Sequence, residues 1–197
     1  MTPGLAISLN GSELVTISSD GFNILSERVF GDRISPEFAY LDVSGGMYGE
    51  EEDQKHLIWE PDRVISAGDE IAVTLLENAT TSRPGKTIEE LYPEDKEPHG
   101  PWQPIEQVFQ DLAQRPIVRE RFTFTVTPTP SQSICAETLP NDHSFGFSVT
   151  WVWLHPERAR VSLSSNTLEG IAKRERGSTH AEFRLQYGQR VQFRVDG

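Results

Sequence analysis

The chain has 197 residues, a formal net charge of −12 and a single cysteine, Cys135. One cysteine excludes an intrachain disulfide framework, and no run of about 18 apolar residues exists to form a spanning helix. The acidity disfavours nucleic acid and anionic membranes as partners and favours basic proteins.

The negative charge is concentrated early. Residues 1–100 carry 20 acids and 7 bases, a net of −13, whereas residues 101–197 carry 10 acids and 11 bases. The N-terminal MTPGLAISLNG lacks a basic start followed by an apolar run, so no secretory signal is expected and the location is read as cytoplasmic.

The first elements alternate apolar and polar residues. Leu5, Ile7 and Leu9 precede Asn10-Gly11, and Leu14 to Ile17 follows. Asn-Gly readily takes the positive φ angles of a type I′ turn, so this reads as a hairpin. Ser19-Asp20-Gly21 is a second turn, and Phe22 to Phe30 a poorly alternating strand. Ala39, Leu41 and Val43 share one face of the next strand, which Gly45-Gly46 is expected to end. An acidic loop follows, with Glu50, Glu51, Glu52 and Asp53 in succession. Ile71, Val73 and Leu75 then point three aliphatics inward from a strand that opens after the Ala67-Gly68-Asp69 turn.

Residues 78–104 differ in kind, with Pro84, Pro93, Pro98, Pro101 and Pro104 among many acids. They read as a long excursion containing one helical turn at Thr87 to Leu91. Pro104 opens an amphipathic helix in which Ile105, Val108, Phe109 and Leu112 form one stripe, expected to be core. Beyond Pro116 the alternation resumes, through Phe122 to Val126, Phe145 to Trp153 and Val191 to Val195. The spacing places Trp151 and Trp153 on one sheet face. Arg184, Arg190 and Arg194 give the second half a mildly basic flank.

A repeat organises all of this. Shifting the numbering by 120 superimposes Ile34, Pro36, Glu37, Ala39, Leu41, Val43, Ser44 and Gly68 on Leu154, Pro156, Glu157, Ala159, Val161, Leu163, Ser164 and Gly188. Five of those eight pairs are identical and three are apolar exchanges. Ile71 and Val73 then fall on Val191 and Phe193. The expected fold is mainly β: two similar antiparallel modules, sandwich-like or barrel-like, packed together. Residues 1–80 form the first module, 81–118 the acidic excursion and connecting helix, and 119–197 the second. The repeat breaks at the acidic loop, whose counterpart Glu169 to Arg176 carries Lys173, Arg174 and Arg176.

Catalytic motifs are missing: there is no Gly-x-Ser-x-Gly, phosphate-cradling loop or dinucleotide fingerprint. The five histidines (His56, His99, His143, His155 and His180) lack ligand spacing, so no metal site and no cofactor is expected. Asp142-His143 reads as a chance neighbour pair rather than half of a hydrolytic dyad, and Cys135 as a small core residue.

The leading expectation is therefore a non-catalytic acidic binding protein, an inhibitor or immunity-type protein that neutralises a basic toxin or enzyme. Its contact residues would be Glu50, Glu51, Glu52, Asp53, Glu89, Glu90, Glu94, Asp95 and Trp102. The alternatives are a carbohydrate- or small-ligand-binding β module using exposed tryptophans, and a structural subunit that assembles as a homodimer.

Overall fold

Alternation of small runs of β-branched and aromatic residues produces twelve strands and three short helices in a computed structural model, which describes residues 1–49, 54–93, 103–128 and 132–197. The first half supplies β1 (Gly4–Leu9), β2 (Ser12–Ser18), β3 (Ile24–Asp32), β4 (Ala39–Met47), β5 (Lys55–Ile65) and β6 (Glu70–Leu76). Helices α1 (Ile88–Leu91) and α2 (Ile105–Gln114) follow. The second half supplies β7 (Thr123–Pro128), β8 (Ile134–Glu137), β9 (Ser144–Val152), β10 (Arg158–Asn166), α3 (Leu168–Ala172), β11 (Ser178–Gln186) and β12 (Arg190–Asp196).

The strands form two six-stranded antiparallel sheets, ordered β2-β1-β6-β12-β7-β8 and β11-β10-β9-β3-β4-β5. Neither closes into a barrel. Each sheet takes three strands from each half, joined at β6–β12 in one and β3–β9 in the other. The pairings centre on Ala72 opposite Gln192 and Arg28 opposite Ser148. Each of these is a residue facing its own counterpart at an offset of 120, so a pseudo-twofold axis passes through both seams. Register repeats as well: Ile24 faces Gly46 where Ser144 faces Asn166.

The inner faces meet in one core. Phe147 of β9 stacks on Phe193 of β12 with centroids 4.3 Å apart and planes 3° off parallel, and Phe124 of β7 meets Phe145 of β9 at 5.0 Å. The repeat's apolar pairs Leu41/Val161, Val43/Leu163, Ile71/Val191 and Val73/Phe193 are all fully buried. Such side chains contribute about 1.5–3 kcal/mol each on burial. Ile34/Leu154 does not join them, since Leu154 is exposed.

Turn chemistry follows the residues. Asn10 and Gly11 have φ of 52° and 78°, both positive as a type I′ hairpin demands. The repeated glycines Gly68 and Gly188 sit at φ 85° and 76° in the turns entering β6 and β12.

Several expectations are corrected. Gly45-Gly46 does not end β4 but lies inside it, because the indole of Trp59 and the Leu25 side chain occupy the space a Cβ on Gly45 would need. The stripe of α2 is not core: none of its residues is buried, and Ile105 is 57% exposed. Cys135 is exposed, because β8 is an edge strand. Trp151 is in the core and donates its Nε1–H to the Pro156 carbonyl at 2.9 Å, whereas Trp153 lies past the end of β9 and is exposed. Arg184 belongs to a different sheet from Arg190 and Arg194, so the three do not form one flank.

The start of the excursion is not a free linker. Ser82 N–H bonds to the Thr16 carbonyl beside edge strand β2, and Lys86 pairs with Ile58 of edge strand β5. Both edges are thereby covered. Arg83 secures this strap through an ion pair with the buried Glu60 carboxylate, which also takes Arg63 Nε at 2.6 Å.

One inward position violates the pattern. Glu27 on β3 lies where the repeat places Phe147, is fully buried, and has no hydrogen-bond partner at either carboxyl oxygen among the described residues. Burial first, and the nearby Asp42 charge second, push its pKa well above the ordinary carboxylate value. A carboxyl held protonated in the fold contributes stability that is complete below its unfolded pKa and lost as pH rises through the folded one. Unfolding midpoints in urea should therefore fall from pH 5 to pH 8, and Glu27→Gln should flatten that slope. Because burial also raises Asp42, the slope should shrink rather than vanish. The Gln variant, which keeps a buried polar group but cannot ionise, should lose less stability between pH 5 and pH 8 than the wild type does.

The repeated turns give a second test. A Cβ on Gly188 would touch nothing within 4 Å, so Gly188→Ala isolates the backbone cost of a positive φ. We expect a loss of roughly 1–2 kcal/mol by thermal or urea denaturation. Gly68→Ala, with only Asp196 Oδ1 nearby at 3.7 Å, should cost the same.

Candidate functional site

The residues expected to meet a partner are only partly in view. Glu50, Glu51, Glu52, Asp53, Glu94, Asp95 and Trp102 lie outside the described residues. Glu90 is engaged internally: with Thr87 it forms a capping box, Thr87 N–H donating to Glu90 Oε2 at 2.8 Å and Glu90 N–H to Thr87 Oγ1 at 3.2 Å. Glu89 lines a shallow depression with Met47, Tyr48, Lys55, His56 and Ile88.

The structure also tests for hydrolytic machinery around Asp142. Its carboxylate accepts from Ser165 Oγ and, at 2.7 Å, from Leu139 N–H. Ser165 Oγ lies 2.7 Å from His180 Nε2. A nucleophilic triad needs the imidazole between serine and acid. Here the serine is in the middle and fully buried, so the trio ties the 139–142 turn to β10 and β11. His143 takes no part in it, and burial pushes its pKa below the usual imidazole value.

A different feature stands out on the outer face of the β3–β9 sheet. The inward positions of β10 are Ala159, Val161 and Leu163, so the outward ones are Arg158, Arg160, Ser162 and Ser164. From β11, Arg184 comes to lie directly opposite Arg160. With Ser148, Thr150 and Val152 of β9 and His155 from the following turn, these residues line an open depression of about 450 Å³. No acid lines it. An adjoining depression over β11 is of mixed charge, lined by Arg160, Arg176 and Arg184 together with Glu182.

Two carboxylates reach these arginines, and Glu182 stands among them, directly opposite Ser162 on the same outward face. Glu182 Oε2 takes Arg160 at 3.1 Å and Arg176 at 3.0 Å, and Glu157 lies 3.6 Å from Arg158. Arg184 has no carboxylate in ion-pair range among the described residues. Like charges directly across a ladder are destabilising, so the Arg160–Arg184 register works against the sheet to the extent that Glu182, which pairs with Arg160, does not offset it.

The fold does not require that contact. At an offset of 120 the same cross-strand place on β4 and β5 is filled by Tyr40 opposite Val64. The backbone accommodates an apolar pair in one copy and two facing guanidiniums in the other. Among the described residues, no cluster of His, Cys, Asp and Glu is arranged to hold a metal ion.

Sequence reasoning missed this site although part of its signal was present. Arg158 and Arg160 at a spacing of two on a predicted strand share a face. Arg184 is 24 residues further on, and only the β10–β11 register brings it there. No helix among the described residues is long and apolar enough to cross a membrane. The chain matches no family model, and no curated protein or solved structure is significantly similar to it.

Proposed function

We propose that the protein is a non-catalytic binding protein whose outer sheet face takes a ligand bearing an oxyanion. The observation that carries this reading is the Arg160–Arg184 pair. In a chain of net charge −12, two arginines face each other in a depression that no acid lines among the described residues, Arg160 shared with the neighbouring Glu182 and Arg184 without a carboxylate in range, where the duplicate half holds Tyr40 and Val64. A bound carboxylate, sulfate or phosphate would relieve their repulsion and take charge-assisted hydrogen bonds from both. The buried, serine-centred arrangement at Ser165 supports a non-catalytic role.

Melting temperature at fixed ionic strength tests this directly. Sulfate or phosphate should stabilise the protein relative to chloride, since a ligand that binds only the folded state adds RT ln(1 + [L]/Kd). Arg184→Gln should abolish the anion-dependent rise while leaving the protein at least as stable in chloride. An equal rise in wild type and variant would sink the reading.

A second reading rests on the net −13 of residues 1–100. Under it, the acidic half captures a basic toxin or enzyme in the cytoplasm, as an inhibitor or immunity-type protein does. Replacing Glu50, Glu51, Glu52 and Asp53 by lysine should then slow association with that partner and flatten its salt dependence. Partners recovered at low salt and released by salt would supply the measurement. An unchanged on-rate would exclude this surface.

A further inference from the structure

The arginine depression does not end at β9. Ser148 and Ser162 also line a second depression of about 370 Å³ that runs across the β3–β9 seam. The two have different chemistry. The first offers arginines, hydroxyls and an imidazole with no carboxylate, which suits an oxyanion. The second mixes donors and acceptors: Arg28 and Asn166 with Asp32 and a floor of serines. Asp32 takes the Ile34 and Ser35 amides through Oδ1, at 2.9 and 2.6 Å, and its other oxygen remains an acceptor. A surface that donates and accepts side by side matches hydroxyl groups, which do both.

Arg28 is positioned for this. Its guanidinium lies over the Phe30 ring, 5.7 Å from the centroid, which fixes a flexible side chain beside the seam. Asp42, directly opposite on β4, partly offsets its charge and makes that end poorer for a second anion. The row of facing residues from Arg28 runs through Ser148 and Ser162 to Glu182, and Arg184 stands one row away opposite Arg160; from Arg184 to Arg28 is three interstrand steps, ~14 Å at the usual ~4.8 Å spacing, plus two residues along the strand, ~7 Å.

We infer that the ligand is a short oligosaccharide carrying a carboxylate or sulfate at one end, its anion held by Arg158, Arg160 and Arg184 and its neutral sugar hydroxyls laid over Ser148 and Ser162 toward Arg28. The inference rests on the anion-binding reading above and adds the body of the ligand to it. An acidic peptide fits less well, because the floor shared by the two depressions is the hydroxyls of Ser148 and Ser162, with Val152 lining one depression and Phe30 the other, rather than a row of apolar pockets for alternate side chains.

Calorimetric titration of the intact chain separates the possibilities, using sialyllactose, free sialic acid, lactose and tetraglutamate as probes. Sialyllactose should bind at least about tenfold tighter than sialic acid or lactose. Arg28→Gln should reduce sialyllactose to the affinity of the free acid without changing the free acid itself. Arg184→Gln should weaken both. Ser162→Leu, which blocks the shared floor without touching a charge, repeats the Arg28 test, and circular dichroism confirms that each variant folds. Sialic acid binding as tightly as sialyllactose, or tetraglutamate binding tighter than either, would overturn the oligosaccharide while leaving anion binding intact. No binding of any anionic probe would overturn both.

Discussion

Two hydrogen-bonded seams hold this molecule together. Without the β6–β12 and β3–β9 ladders, each half would present two three-stranded sheets, each with an unpaired edge and an open inner face. Unpaired backbone groups next to an apolar surface are costly in water and invite association with other chains. Pairing each edge with its own counterpart resolves both problems at once. It leaves β2 and β5 to be covered by the strap at residues 79–86. The same design makes folding depend on contacts between residues about 120 apart, the class of contact whose loop-closure cost slows β proteins.

Symmetry of the backbone does not extend to the side chains, and the differences carry the chemistry. Inside, Phe147 and Phe193 stack where the other copy has Glu27 and Val73. The carboxyl of Glu27 is buried there with its pKa raised well above the ordinary carboxylate value, first by desolvation and then by the Asp42 charge, a cost that an aromatic in the same place does not incur. Outside, Arg160 and Arg184 replace Tyr40 and Val64. A strand pair buries one face and leaves the other to solvent, so outward positions can change charge without disturbing the core. That freedom lets one copy carry a basic, hydroxyl-rich surface within an acidic protein.

Alternation on β strands made much of the fold legible from residues alone. The hairpin at Asn10-Gly11, the paired turns at Gly68 and Gly188 and the buried series Leu41, Val43, Ile71 and Val73 all follow from period-two patterns and from the φ angles that Asn and Gly accept. The same rules failed where a contact distant in sequence intervened. Gly45-Gly46 looked like a terminator, yet Trp59 and Leu25 need that space. The stripe on α2 looked like core, but an amphipathic pattern states only that a face could be buried, and no residue of α2 is.

By itself the sequence determined the burial of the regularly alternating stretches such as Leu41, Val43, Ile71 and Val73, the 120-residue duplication and the division of charge between the halves, because each depends on local periodicity or on counting. The tertiary structure alone decided that the halves exchange edges across both sheets, since nothing local specifies which edge strand a backbone ladder will choose. It also decided that Arg184 meets Arg160. A register of antiparallel strands sets which side chains face each other, and that register is fixed by the core on the opposite face rather than by the arginines themselves.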